Sequence, residues 1–89
     1  MTYTVFLHPK AAKELNKLEA GIRARIVERA RELRHNPAGI GKSLRQSDFW
    51  SLRVGDYRAI YCIDLDRKQV VILFVGHRGK VYDDFSKML

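Results

Sequence analysis

Eighty-nine residues carry 17 lysines and arginines against 10 aspartates and glutamates, a formal net charge of +7. That length supports one modest core and one domain, residues 1–89. The lone Cys62 excludes an internal disulfide and fits a reducing cytoplasm, and no apolar run approaches the ~20 residues of a membrane helix.

An excess of cations on so small a domain attracts polyanions through a salt-dependent, sequence-independent term; an acidic protein partner satisfies the same charge. The N-terminus carries no signal-peptide pattern, so the expected location is the cytoplasm.

Thr2 to Leu7 alternates β-branched and aromatic residues and predicts a first strand. His8-Pro9 ends it, because proline suits the first turn of a helix and disfavours helical geometry in the residue before it. Ala11, Ala12, Leu15 and Leu18 recur at helical spacing, giving a first helix to about Glu19 with a break near Gly21. Ile22, Ile26, Ala30 and Leu33, widened by Val27, form the stripe of a second helix that stops near His35-Asn36-Pro37. Arg23, Arg25, Arg29, Arg31 and Arg34 decorate it, partly balanced by Glu28 and Glu32. They form either a solvated face of weak ion pairs or a track for a polyanion.

Residues 38–48 read as a connecting loop that brings Lys42, Ser43 and Arg45 towards the next strand pair, with Leu44 as its anchor. Trp50 to Tyr61 is a hairpin about Gly55-Asp56, a pair that supplies positive φ in a two-residue loop. A loop of those two residues sets Val54 opposite Tyr57, Leu52 opposite Ala59 and Arg53 opposite Arg58. Two arginines directly opposite each other cost stability unless an anion lies between them. The hairpin therefore reads as a phosphate site.

A turn at residues 64–68 leads to a third, almost uniformly apolar segment from Gln69 to His77, the pattern of a strand covered in part on both faces. A four-residue loop there puts His77 on the side of Arg58; a loop one residue longer puts Arg78 there instead. Residues 83–89 form a short helix or a tail. The fold class is α+β: an N-terminal strand at an edge or in the middle, a two-helix hairpin on one face, and three antiparallel strands completing a four-stranded sheet.

One cysteine and three scattered histidines match no zinc spacing, and neither a glycine-rich phosphate loop nor a G-x-S-x-G elbow is present. Neither metal nor cofactor is expected. What remains is the cluster Arg53, Arg58, His77, Arg78, Lys80 and Tyr82. Fixed guanidinium groups can stabilise the negative charge of a pentavalent phosphate, and RNA supplies its own nucleophile in the 2′-hydroxyl. The protein then needs a base, Tyr82 or His77, and an acid for the leaving 5′-oxygen, Arg78 or His77. The same cluster also suits a basic binding face without turnover.

The stretches Leu52-Arg53-Val54-Gly55-Asp56-Tyr57-Arg58-Ala59-Ile60-Tyr61 and Val75-Gly76-His77-Arg78-Gly79-Lys80-Val81-Tyr82, with the early HPKAAKEL helix and the NPAGIGKSLR connector, resemble the RelE/ParE superfamily of toxins from type II toxin–antitoxin modules. The resemblance covers nearly the whole chain. It implies the RelE-like microbial RNase fold, a four-stranded antiparallel sheet against two helices. It also implies one of two activities: metal-independent cleavage of mRNA in the decoding site of the ribosome (RelE branch, with 16S rRNA contacts) or poisoning of DNA gyrase (ParE branch). A detoxified or purely repressor-binding module is a third outcome.

By that resemblance Arg58 matches the hairpin arginine, Arg78 the essential arginine after the last strand, and Tyr82 the C-terminal tyrosine implicated in proton abstraction and stacking. Arg53 matches a further basic position. Phe49 and Ser51 stand where the RelE type case carries two lysines, so either that charge comes from Lys42, Arg45, Lys80 or His77 or the rate is lower. Keeping Arg58, Arg78 and Tyr82 together favours the RNase branch. The implied partners are mRNA on the ribosome and a cognate antitoxin, bound in a toxin–antitoxin hetero-oligomer.

Overall fold

The computed structural model describes residues 2–44, 47–80 and 87. Its elements in chain order are β1 (Thr4–Leu7), α1 (Pro9–Asn16), α2 (Ala20–Glu32), α3 (Pro37–Ile40), β2 (Lys42–Ser43), β3 (Phe49–Val54), β4 (Tyr57–Asp64) and β5 (Gln69–His77). The five strands form one sheet in the order β1-β5-β4-β3-β2. The arrangement is α+β as expected, with two differences. The sheet has a fifth strand, because residues 42–43 of the connector pair with Trp50 and Ser51 of β3. It is also mixed: β1 lies at the edge and runs parallel to β5, Thr4 to Leu7 against Gln69 to Ile72.

Local chemistry sets the helix boundaries. His8 caps α1, its Nδ1 accepting from the backbone N–H of Lys10 at 3.2 Å, with Pro9 in the first turn. A proline there forfeits only a donor that has no intrahelical partner. Glu19 caps α2 by accepting from the Gly21 N–H at 3.2 Å. The helical break therefore falls before Ala20, and Gly21 lies inside the first turn of α2 instead of marking the interruption. Asn36 caps α3 through its Oδ1, which accepts from the Gly39 N–H at 3.1 Å.

The helices cover one face of the sheet. Ala11 and Leu15 of α1, Ile26 and Ala30 of α2, and Leu33 just after it meet Leu52, Val54, Ala59, Tyr61, Val70, Ile72 and Val75. Ile60 and Phe74 are buried in a smaller cluster with Leu44, Phe49 and Leu73. Strand alternation puts that cluster on the opposite face, the one that bears the arginines.

The register between β4 and β5 decides which side chains share that face. The loop between them is Leu65 to Lys68, four residues, since Asp64 pairs with Gln69. Further along, Tyr61 pairs with Ile72 but Ile60 pairs with Phe74, so Leu73 is the extra residue of a β-bulge. The bulge shifts the pairing by one, and Arg58 faces Gly76. The short loop and the register associated with a longer one thus occur together.

Candidate active site

The hairpin that carries the site turns at Gly55, whose φ is +61°. Among the described residues only Gly55 and Lys68 have positive φ. Positive φ at the first loop position alone is the pattern of a two-residue II′-type turn, in which glycine is the favoured first residue. The turn sets the β3–β4 register, pairing Arg53 with Arg58, Leu52 with Ala59 and Ser51 with Ile60.

On the face away from the helices, alternation gathers Lys42, Ser51, Arg53 and Arg58. Arg58 is half-buried, and its Nη1 donates to the hydroxyl of Ser51 at 3.3 Å. Ser51 is buried, so this bond orients the guanidinium from below. Arg53 is exposed, and its Nε donates to the Gly55 carbonyl at 3.1 Å. Lys42 pairs with Ser51 across the β2–β3 ladder, which places it on the same side as the two arginines. Ile60 and Phe74 lie beneath, fully or almost fully buried, and give the cations an apolar floor. Charge–charge interactions over such a floor are less screened than in open water.

Beyond Gly76 the ladder continues for one more step, the Arg78 N–H donating to the Asp56 carbonyl at 2.9 Å. Two residues past Gly76, Arg78 holds the register position on the side of Arg58. It is exposed at the start of a helical turn over residues 78–80 that also carries Lys80. His77 pairs with Tyr57 and lies edge-on to its ring at 5.7 Å between centroids. That is the other side of the sheet, and His77 is therefore separated from the arginines instead of joining them. Tyr82, Arg45 and the C-terminal helix or tail expected at residues 83–89 lie outside the described residues, Lys87 excepted.

Ser51 enters the sequence reading only as a position where the family type case carries a lysine, not as a partner of Arg58. Its place at an alternate position before the turn is visible in the chain, but a serine there signals nothing until the facing guanidinium is located. Cys62 is half-buried on the arginine-bearing face, opposite Val71, and burial pushes its thiol pKa up. A thiol held protonated is a packing group. Among the described residues no three His, Cys, Asp or Glu side chains cluster as a metal site would require.

Arg53 and Arg58 are paired across the ladder, one guanidinium bonded to the turn and the other to a buried hydroxyl, and such groups are donors of the kind that binds phosphodiester oxygens. The family described as the ParE toxin of the type II toxin–antitoxin system, parDE, matches residues 5–82. The chain belongs to that toxin family.

Within it, relatives on the RelE side are well represented. Toxin RelG of Mycobacterium tuberculosis is 41% identical over 85 residues, covering 92% of this chain and 98% of the relative. Toxin RelE of the same organism is 36% identical, covering 90% and 86%. Among solved structures, the RelBE2 toxin–antitoxin complex of M. tuberculosis superposes with a TM-score of 0.82 at 41% identity, over 88% of this chain and all of that one. The archaeal RelE–RelB complex of Pyrococcus horikoshii gives 0.73 at 30% identity, over 90% and 99%. A free Escherichia coli RelE mutant gives 0.80 at 22% identity, over 100% and 99%, and at that identity shows the shared fold alone. This toxin is thus a RelE/ParE-family member of RelE-like fold.

Proposed function

We propose that this toxin is a metal-independent endoribonuclease that cuts mRNA on the ribosome and is held silent by a cognate antitoxin. The observation that carries the reading is the register that sets Arg53 against Arg58 and brings Arg78 next in line on the same face. Arg53 and Arg58 hold the non-bridging oxygens of the scissile phosphate, and their attraction grows as charge accumulates in the pentavalent transition state. The 2′-hydroxyl of the RNA attacks the adjacent phosphorus, and the 5′-oxygen leaves. Tyr82, by its match to the family tyrosine, takes the 2′-proton. Arg78 stands as the acid that gives the leaving 5′-oxygen its proton, leaving a 2′,3′-cyclic phosphate on the upstream fragment, with Lys42, Arg45 and Lys80 along the flanking backbone. His77 has no step in this scheme.

The solved relatives RelBE2 and archaeal RelE–RelB are toxin–antitoxin complexes, which supports a matching antitoxin here; a ribosomal target sets the site of action in the cytoplasm. Gyrase poisoning is the second reading, favoured by the ParE description of the matching family. One experiment separates the two. Purified toxin is added to ribosomes programmed with a defined message, new 5′-ends are mapped, and supercoiling by gyrase is assayed in parallel. New ends that vanish with Arg58→Ala are expected. Intact message together with blocked supercoiling would overturn the nuclease reading.

A further inference from the structure

Cationic side chains also converge at the end of the sheet, around the tip of the β3–β4 hairpin. A cleft of about 350 Å³ opens there between α2 and the turn, lined by Arg25, Glu28, Arg29, Arg53, Val54 and Gly55. The guanidinium of Arg25 lies close against the turn, since a Cβ on Gly55 would stand 3.7 Å from its Nη2. Arg53 uses its Nε for the Gly55 carbonyl, which leaves its other donors available. Among the described residues the ion pairs are Lys17–Glu14, Arg29–Glu32 and Arg67–Asp64. Neither Arg25 nor Arg53 is therefore neutralised by a carboxylate there. Arg53 lines this cleft and also pairs with Arg58 across the ladder, so it links the open face to α2 at the hairpin tip.

We propose that this cleft is a second phosphate subsite, in which Arg25 and Arg53 hold a backbone phosphodiester of the RNA strand flanking the one at the Arg53–Arg58 pair. The inference rests on the RNA reading of that face and extends it to α2. An acidic peptide is the competing occupant. Peptides draw most of their affinity from apolar anchors in desolvated pockets, and this cleft offers Val54 alone; a phosphodiester needs only the guanidinium donors. Glu28 is the one carboxylate in the lining and weakens the subsite for any anion.

The test uses the full chain and a short single-stranded RNA made uncleavable by 2′-O-methylation, titrated by fluorescence anisotropy over a series of NaCl concentrations. Loss of one phosphate contact on a single strand lowers the slope of log K against log[NaCl] by about 0.7, which is expected for Arg25→Gln. Arg67→Gln removes the same charge from the β4–β5 turn at the opposite end of the sheet and should leave the slope unchanged. Glu28→Gln should tighten binding, a gain that damaged folding cannot mimic. Equal effects of Arg25→Gln and Arg67→Gln would overturn the subsite, because net charge alone would explain them. So would an Arg25→Gln variant that keeps the wild-type RNA slope but loses binding to an Asp/Glu-rich peptide. Because this RNA cannot be cut, an Arg25-dependent slope in a toxin that cleaves no message would retain the subsite and reject the nuclease.

Discussion

Arg53 and Arg58 face each other across the β3–β4 ladder, on the side of the sheet opposite the helices. Like charges in that position destabilise a strand pair by roughly 0.2–1 kcal/mol. Replacing the exposed member should therefore stabilise the fold while harming the site. Arg53→Thr is expected to raise the unfolding free energy from urea titration by an amount in that range and to weaken RNA cleavage. A variant that loses both stability and activity would show that Arg53 serves the fold.

Arg58 and His77 occupy opposite faces, the one bonded to Ser51 and the other packed against Tyr57. Removing a charge-stabilising donor typically costs a factor of about 10²–10³ in rate. Arg58→Ala should show a loss of that size in single-turnover cleavage of ribosome-bound message. His77→Ala should fall well short of the ~10²–10⁴ that a general acid or base contributes. Equal losses in the two would return His77 to the reaction.

The hairpin was legible in the chain because two features agree on its register: a glycine at the turn and the apolar alternation of Trp50 to Val54 leading into it. Neither exists between β4 and β5. From Val70 to Val75 every residue is apolar, so a one-residue bulge at Leu73 leaves no mark in the hydrophobic pattern, yet it decides whether His77 or Arg78 stands beside Arg58. The parallel neighbour of β5 escaped for a different reason. β1 reaches β5 across all three helices and the hairpin, a pairing that no local spacing encodes. The two-residue β2 is too short for periodicity to reveal, and it is defined by its partner, β3.

Gly55 holds a left-handed backbone conformation at the hairpin tip. For a residue with a side chain that conformation costs about 1–2 kcal/mol, less for asparagine. Gly55→Ala should lower stability by that amount in denaturant titrations, and Gly55→Asn should lower it less. Because the turn sets the Arg53–Arg58 register, Gly55→Ala should also slow cleavage.

Gly41 matters through space, not conformation, since its backbone is extended. A Cβ there would come within 2.1 Å of the Tyr61 hydroxyl oxygen and 2.9 Å of the Ser51 carbonyl. Overfilling so tight a site costs about 1–3 kcal/mol. Tyr61→Phe removes the nearest of the clashing atoms. In a double-mutant cycle, Gly41→Ala should therefore be less damaging in the Tyr61→Phe background, with a coupling of roughly 0.5–3 kcal/mol. Simple additivity would place the clash elsewhere.

Tyr61 itself should make stability fall at high pH. Its ring is fully buried, and its hydroxyl donates to the Pro37 carbonyl at 2.6 Å, tying β4 to α3. Burial raises its pKa from 10.0 to about 12, with the Gly41 backbone pulling the other way. The folded state thus holds this proton more tightly than the unfolded chain does. The resulting stability is fully present below pH 10 and drains away as pH rises towards 12. At about 1.4 kcal/mol for each tenfold gain in proton affinity, the whole effect is on the order of 2–3 kcal/mol. Below pH 10 the wild type should exceed Tyr61→Phe by about 1–2 kcal/mol, the cost of leaving a buried carbonyl without its donor. The two proteins differ at this hydroxyl alone, so the difference between their urea midpoints isolates it. That difference should shrink and then reverse sign as pH rises from 10 to 12 and above; a constant one would mean that the Tyr61 proton is held no more tightly in the folded protein than in the unfolded chain.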